Sequence, residues 1–437
     1  MRIQATSWKP GDNNRVLDAF LARPAFDGRS QEVAREVLAE VRARGDAAVT
    51  AYAERFDGVR LKPAGLQVSA AELAEAAKAV GPGFKAAARE ACRRIVRFSK
   101  AGMKRGWQIR TGHGGRLGEF FVPFDRVGVY VPGGAAPLAS TALMTATLAR
   151  VAGVGGIVAC TPCGPDGRVN PYVLYALQLA GATEIYRVGG IHAIGLMAYG
   201  TRTVRRVQKI VGPGGTYVTA AKRLVYGDVA LDLVAGPSEI AVLADETANP
   251  AHAAMDLLSQ AEHGTGFEKA LLVSPSATLI EEVRAALVAQ TATLPRAAAI
   301  KRVAARGGIL LVHVEDLQAG VDLCNRFAPE HLELMVKAPG RWVKKIRCAG
   351  AVFMGHWTPE SAGDFVAGPS HVLPTGGAAA MFSGLTVDDF RRRSSFVEFT
   401  RRDLREVLPV IEEFGRVEGL DAHARAGTIR FERDQQE

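Results

Sequence analysis

Residues 126–152 read RVGVYVPGGAAPLASTALMTATLARVA, and this stretch decides the fold class. It opens with a β-rich run that ends at a glycine turn, Gly133-Gly134. The segment after the turn has apolar residues at helical spacing, namely Met144, Leu148 and Val151. A strand that passes through a turn into a helix is the repeating unit of parallel sheets covered by helices, so the stretch predicts an α/β fold.

The same order of elements recurs on the C-terminal side of this stretch. GIVACTPC, EIYRVGG and VQKIVGPGG each precede a helical pattern, which predicts that residues 127–236 form one Rossmann-like domain. A second series runs from EIAVLAD to GAVFMGH. We therefore predict a discontinuous α/β domain from residues 27–126, which begin with helices, and 237–386. Residues 1–26 are predicted as an N-terminal segment and 387–437 as a helical tail, and ligands are expected at the carboxyl ends of the strands.

The distribution of basic residues, rather than the net charge, argues against a nucleic-acid partner. The chain of 437 residues carries 54 lysines and arginines against 45 aspartates and glutamates, a net charge of +9. These basic residues are scattered and do not alternate with aromatic residues, which favours a solvated surface. A non-enzymatic nucleic-acid binder is the rival class, and it predicts an affinity that falls steeply with salt.

The apolar residues and the cysteines indicate a compartment. The sequence has neither an apolar N-terminal run typical of a secretory signal nor a stretch approaching the roughly 18 apolar residues of a membrane span. Five cysteines are an odd number in a long chain, which is typical of reduced thiols. We therefore expect a cytoplasmic protein without a membrane partner.

Three glycine turns follow β-rich runs: Gly133-Gly134, Gly189-Gly190 and Gly212 to Gly215. Backbone amides at the following helix starts are suited to hold a phosphate. None of the three turns has the GxGxxG spacing, and glycine after a strand is also how such chains simply turn. Both interpretations remain open from the residues alone.

Several polar residues are candidates for chemistry. Gln260 and His263, in LLSQAEHG, share one face near the end of a helix whose predicted cap is Asn249, and they are either half of a metal site or a surface pair. APEHLEL places Glu330 beside His331. Further candidates are Asp364 and His371 in ESAGDFVAGPSHVLPTGG, and His423 in GLDAHARAG, whose default interpretation is a surface histidine.

Six runs together resemble one family. VPGGAAPLASTALM, AGPSE, LLSQAEHG, APEHLEL, ESAGDFVAGPSHVLPTGG and GLDAHARAG are similar to histidinol dehydrogenases, in the same order across nearly the whole chain. The resemblance implies two Rossmann-like domains without GxGxxG and a homodimer with exchanged segments and shared active sites. It also implies zinc-dependent oxidation of L-histidinol through the aldehyde to L-histidine, with reduction of NAD. Oxidation of another small polar alcohol, such as a sulfonated diol, is the alternative, and the matching Glu418 and His423 favour histidinol.

The resemblance also assigns roles to individual positions. It implies zinc ligands at Gln260, His263, Asp364 and His423, which also contact the substrate, and a catalytic pair at Glu330 and His331. Ser238 in AGPSE, Glu418 in VEGL and again His331 match substrate contacts. Tyr130 matches a cofactor contact. His192 and Gly215 lie at two further cofactor positions, where the family often has glutamine and asparagine. His423 is expected to serve the partner's active site.

Elementary chemistry supports the two catalytic roles. Removal of a hydride from an alcohol carbon requires a base for the hydroxyl proton, and a neutral His331 is suited to that. If Pro329 begins a helix, the positive end of that helix favours the neutral imidazole. The aldehyde needs an added water before a second hydride can leave, and Glu330 is placed to activate it. The rival nucleophile is the thiol of Cys324, which lies in an apolar helical pattern and is expected to be buried and inert.

Overall fold

The computed structural model describes residues 1, 3–22, 28–133, 137–233 and 236–435. These fall into two compact units, the first formed by Met1–Gly102 with Phe124–Phe390 and the second by Met103–Pro123 with Arg391–Glu437. The predicted boundary between residues 26 and 27 lies outside the described residues, as does Gly134.

The N-terminal region is helical, as its amphipathic pattern predicts. Strand β1 (Gln4–Ser7) precedes five helices, and α4 begins with a capping box between Ser69 and Glu72. The helices are α1 (Arg15–Leu21), α2 (Gly28–Arg44), α3 (Asp46–Tyr52), α4 (Ala70–Ala79) and α5 (Pro82–Gly102). Strands β2 (Trp107–Arg110) and β3 (Arg116–Pro123) follow and belong to the second unit.

The next region forms a parallel five-stranded sheet in the order β6-β5-β4-β7-β8. Its strands are β4 (Arg126–Tyr130), β5 (Gly156–Cys160), β6 (Glu184–Tyr186), β7 (Lys209–Val211) and β8 (Ala230–Leu231). The crossover helices are α6 (Ala139–Ala152), α7 (Pro171–Ala180), α8 (Gly190–Tyr199) and α9 (Thr216–Leu224). The strand order reverses between β4 and β7, which is where open α/β sheets bind ligands.

A second parallel sheet of six strands has the order β1-β11-β10-β9-β12-β13. Its remaining strands are β9 (Glu239–Ala244), β10 (Lys269–Ser274), β11 (Ile309–His313), β12 (His331–Met335) and β13 (Ala351–Met354). Every residue of β9 and β12 is buried, as expected of strands covered on both faces. The accompanying helices are α10 (Pro250–Ala261), α11 (Ala277–Thr291), α12 (Ala297–Ala305), α13 (Leu317–Phe327), α14 (Pro339–Trp342) and α15 (Glu360–Phe365). The two sheets confirm the predicted α/β class.

The second unit combines an antiparallel sheet with two helices. Strand β14 (Arg391–Glu398) pairs with β3, which pairs with β2. Helices α16 (Arg401–Glu418) and α17 (Asp421–Thr428) follow, and Gly419 turns the chain between them. The predicted helical tail is therefore interrupted, because a 3-10 turn at Val387–Phe390 leads into β14 and α-helix begins only after residue 400. The backbone of RRRSSFVE pairs with β3, which lies about 270 to 280 residues earlier in the chain, and the local pattern does not reveal that partner.

Two further expectations concern the whole chain. No helix among the described residues is long and apolar enough to cross a bilayer. The five cysteines are free thiols, and Cys92, Cys160 and Cys324 are buried.

Candidate active site

The Glu330-His331 pair lies where a helix passes directly into a strand. Helix α13 ends at Phe327 and is capped by Ala328, whose positive φ of 48° is the only one among the described non-glycine residues. Pro329 follows, and His331 is the first residue of β12, paired with Ile240 and Ala351. The expectation that Pro329 begins a helix is therefore wrong, because backbone pairing with β9 and β13 fixes an extended chain here. The pair also lies at the amino end of its strand, whereas ligands were expected at carboxyl ends.

The imidazole of His331 presents one ring nitrogen to the site. Its Nδ1 is 3.1 Å from the Glu239 carbonyl oxygen and 2.8 Å from Nε2 of Gln260. Its Nε2 is buried without a hydrogen-bond partner and lies 3.6 Å from Oδ1 of Asp364. Burial alone would lower the pKa of His331, but the Glu330 and Asp364 carboxylates raise it above its ordinary value. Nε2 is thus the ring atom available for proton exchange.

Glu330 is held by the chain that enters β9. Its Oε2 accepts a hydrogen bond of 3.0 Å from the Glu239 backbone amide and lies 3.7 Å from Nδ1 of His331. Burial raises the pKa of Glu330 to about 8, while the nearby His331 and a hydrogen bond with Ser238 act in the opposite direction. The structure thus brings Ser238 to the predicted catalytic pair. A carboxyl with a raised pKa is a stronger base once ionised.

Three of the predicted metal ligands belong to this unit. Gln260 is in the last turn of α10, which begins at the predicted cap Asn249, and its buried Oε1 has no hydrogen-bond partner. His263 lies just beyond the helix and is exposed, with Nδ1 3.2 Å from the Gln260 carbonyl oxygen. Asp364 is in α15; burial raises its pKa, but the neighbouring His331 and His371 rings lower it more, so the pKa stays below the ordinary value.

Glu360 is a site residue that the sequence reasoning missed. Donor atoms of His331, Glu360 and Asp364 all lie within 4.8 Å of one another, an arrangement that suits a cation. Ser259 donates a 2.9 Å hydrogen bond to Glu360 Oε2, and burial together with the Asp364 charge raises the pKa of Glu360 to about 8. The signal was present in ESAGD, because Glu360 precedes Asp364 by one helical turn.

His371 connects Asp364 to another part of the unit. Its Nδ1 lies 3.1 Å from the Asp364 carbonyl oxygen, and its Nε2 lies 3.1 Å from Oγ1 of Thr141 in α6. Burial lowers the pKa of His371, which favours the neutral ring.

The predicted cofactor residues lie around the carboxyl edge of the five-stranded sheet. Tyr130 ends β4, burial raises its pKa to about 12, and its hydroxyl oxygen accepts a 3.1 Å hydrogen bond from the Gly190 amide. Gly212 has a φ of +115°, and a Cβ there would lie 2.2 Å from the Tyr130 carbonyl oxygen. Gly215 precedes α9, and a Cβ there would meet no atom within 4 Å. This edge therefore offers backbone and open space.

His192 differs from the other cofactor candidates because its side chain is fully buried. Its Nε2 lies 3.4 Å from Oδ2 of Asp57, and neither ring nitrogen has a hydrogen-bond partner. The rings of Tyr52 and Phe56 each lie 6.3 Å from the imidazole, centroid to centroid. The imidazole thus packs inside the unit beside an acidic group.

The remaining predicted site residues belong to the second unit. Glu418 ends α16 and His423 lies in α17, and both side chains are exposed.

The expected burial of Cys324 is confirmed, and burial raises the pKa of its thiol to about 12.

Comparison with known proteins identifies relatives over nearly the full length. Residues 23–431 match the histidinol dehydrogenase family model. Histidinol dehydrogenase of Syntrophotalea carbinolica is 44% identical over 98% of this chain and 99% of its own, and that of Gluconobacter oxydans is 44% identical over 95% and 96%. The crystal structure of histidinol dehydrogenase from Elizabethkingia anophelis superposes with a TM-score of 0.93 at 33% identity, covering 99% of both chains.

Proposed function

The chain belongs to the histidinol dehydrogenase family, and from this premise we propose that it oxidises L-histidinol to L-histidine in two NAD-dependent steps at a zinc site. The observation that carries the proposal is the gathering of Glu330, His331 and Asp364 beside Gln260 at the amino edge of the six-stranded sheet. This arrangement supplies a base for the alcohol proton and a carboxyl for water activation in one buried place.

The donor atoms fit a zinc ion. The Gln260 Oε1 has no partner although it is buried, which is costly unless a ligand meets it. We propose that Gln260, His263 and Asp364 hold the ion, with His423 as a fourth ligand; two oxygen and two nitrogen donors suit zinc. When bound, the ion supplies a positive anchor that orients the amino and imidazole nitrogens of the substrate.

The carboxyl edge of the five-stranded sheet fits NAD. The strand order reverses there, α9 begins directly after Gly215, and a Cβ at Gly215 would meet no atom within 4 Å. We propose that Tyr130 and Gly215 contact the cofactor, which supplies the hydride acceptor when bound. His192 contributes by packing rather than by direct contact, because its ring is fully buried.

In the first oxidation, His331 takes the hydroxyl proton. In the neutral tautomer that donates Nδ1–H to the Glu239 carbonyl oxygen, the lone pair is on Nε2, the atom without a partner. The Gln260 amide nitrogen is also a donor and lies 2.8 Å from Nδ1, so it has to turn away from the ring in this tautomer. Loss of the hydroxyl proton to Nε2 allows the carbinol carbon to release a hydride, and the alcohol becomes an aldehyde.

In the second oxidation, Glu330 removes a proton from the water that adds to the aldehyde. The resulting hydrate has a new hydroxyl group, so His331 repeats its role while a second hydride leaves and the carboxylic acid forms. The Glu239 amide and Ser238 orient the Glu330 carboxyl for this task. Because the ionised form is required, the raised pKa of Glu330 predicts that this step accelerates as the pH rises through about 8.

We also propose a homodimer in which His423 and Glu418 serve the partner's site. An apolar stripe on α16, formed by Val410, Phe414 and Val417 with exposed fractions of 57%, 62% and 67%, supports a partner. The test mixes inactive His263→Ala and His423→Ala chains by joint unfolding and refolding. Mixed dimers regain one intact site if the ligands come from different chains. Verified mixed dimers without activity would contradict sharing.

The central experiment measures NADH formation from L-histidinol. We expect activity that chelation abolishes and zinc restores. Sulfonated diols serve as the comparison substrates, and preferential oxidation of a diol would replace histidinol as the proposed substrate. No NADH from any alcohol in the zinc-loaded protein would refute the proposal.

A further inference from the structure

A chain of hydrogen bonds joins the two proposed binding regions inside the first unit. Thr141 is the third residue of α6, the helix that follows β4 at the proposed cofactor edge. Its Oγ1 lies 3.1 Å from Nε2 of His371, and Nδ1 of His371 lies 3.1 Å from the backbone carbonyl oxygen of Asp364. Thr141 is 1% exposed, so water does not replace these contacts.

The direction of each hydrogen bond in this chain follows from the groups involved. A backbone carbonyl only accepts, so Nδ1 of His371 carries the proton and donates a hydrogen bond to the Asp364 carbonyl oxygen. In the neutral ring Nε2 is then an acceptor, and the Thr141 hydroxyl donates to it. Removal of that hydroxyl would leave Nε2 buried without a donor, and the ring would lose the contact that fixes its orientation.

We propose that Thr141 and His371 are positioning residues that hold Asp364 in place for the metal. The proposal rests on the metal-binding role of Asp364 given above. Metal-ligating groups are oriented by hydrogen bonds from residues behind them, and loss of such a contact typically weakens metal affinity about 10- to 100-fold. Here the supporting contact comes from α6, so the metal ligand is fixed relative to the cofactor edge and not only by its own helix, α15.

The experiment titrates zinc-free protein with Zn²⁺ in competition with a chromophoric chelator, without substrate or cofactor. Thr141→Val removes only the hydroxyl donor, and we expect zinc affinity to fall about 10-fold or more. Thr141→Ser retains the hydroxyl and should bind zinc within about threefold of the wild type. The matched control is Thr147→Val, which removes a buried hydroxyl from the same helix where the neighbour is Cys92 instead of His371.

Two additional variants separate the possible failures. Asp364→Asn should lose most zinc affinity, and if it binds zinc like the wild type, the proposed metal role itself is wrong. If Asp364→Asn loses zinc but Thr141→Val binds it as tightly as Thr147→Val, only the positioning inference is overturned. Thr141→Ala removes the same hydroxyl without adding a methyl group, and it must weaken zinc binding as well if Thr141→Val folds poorly. Thermal unfolding of the zinc-free variants identifies a general loss of stability.

Discussion

In the first unit, the two sheets carry their predicted binding regions at opposite edges, and the chemical groups at those edges differ. At the carboxyl edge of the five-stranded sheet, glycine turns follow the strands, and Gly212 packs against the Tyr130 carbonyl too closely for any side chain. At the amino edge of the six-stranded sheet, buried ionisable groups dominate, among them Glu330, His331 and Asp364. Binding a dinucleotide requires amides and space, whereas moving protons requires titratable groups whose pKa values burial has shifted.

The amino edge acquires its polar groups because helices end there. Only three residues separate the end of α13 from the start of β12, and they include Glu330. Helix α10 likewise ends near His263 before β10 begins. Short connections of this kind leave little freedom to the side chains, so a catalytic pair placed in one is held firmly.

The largest effect is expected at the amino edge of the six-stranded sheet, where the buried ionisable groups lie. His331→Ala should lower kcat for histidinol by about 10²- to 10⁴-fold, because a positioned base acts in the transition state, while the Kd for histidinol changes little. Single-turnover kinetics and equilibrium binding of histidinol provide the two measurements. Near-normal turnover would refute the role of His331.

A smaller and more selective effect is expected at Glu330. Glu330→Gln should slow aldehyde oxidation by about 10²-fold while sparing the alcohol step, since only the aldehyde requires activated water. The wild-type aldehyde rate should rise with pH through about 8 as Glu330 ionises, and the rise should be smaller in the variant, where His331 still has to lose its proton. Rates measured separately with histidinol and histidinal decide the matter, and equal losses with both substrates would contradict the division of roles.

The extent to which the sequence predicts these edges differs between them. Alternating strand and helix patterns predicted both parallel sheets, because local periodicity reports burial directly. The placement of Glu330 and His331 at the start of a strand was missed, because pairing of β12 with β9 and β13 is a long-range property. Strand β14 escaped for the same reason, since its partner β3 is distant in sequence. The zinc and cofactor roles came from family resemblance and stay predictions.

Substitutions at two glycines test the carboxyl edge of the five-stranded sheet. Gly212→Ala places a Cβ 2.2 Å from the Tyr130 carbonyl oxygen at a φ of +115°, so it should lower the free energy of unfolding by about 1–3 kcal/mol and raise the KM for NAD more than it lowers kcat. Gly215→Ala, with a φ of −67° and no atom within 4 Å, should cost about 0.5 kcal/mol or less. Denaturant unfolding and steady-state kinetics compare the two. Equal stability of both variants would show that this edge tolerates side chains after all.

The smallest effect is expected in the core next to the amino edge of the six-stranded sheet. Cys324 lies in α13, only six residues before Glu330, and a thiol so close invites a covalent mechanism for the aldehyde step. It is fully buried, however, and burial raises the pKa of the thiol to about 12, so almost no thiolate exists near neutral pH. Cys324→Ser should therefore keep the rates of both oxidation steps within about twofold, since the water activation proposed for Glu330 accounts for the second step without a thiol. Cys163, which is partly exposed, provides the matched Cys163→Ser control. Selective loss of the aldehyde step in Cys324→Ser would mean that the thiol in α13, not a water molecule, attacks the aldehyde.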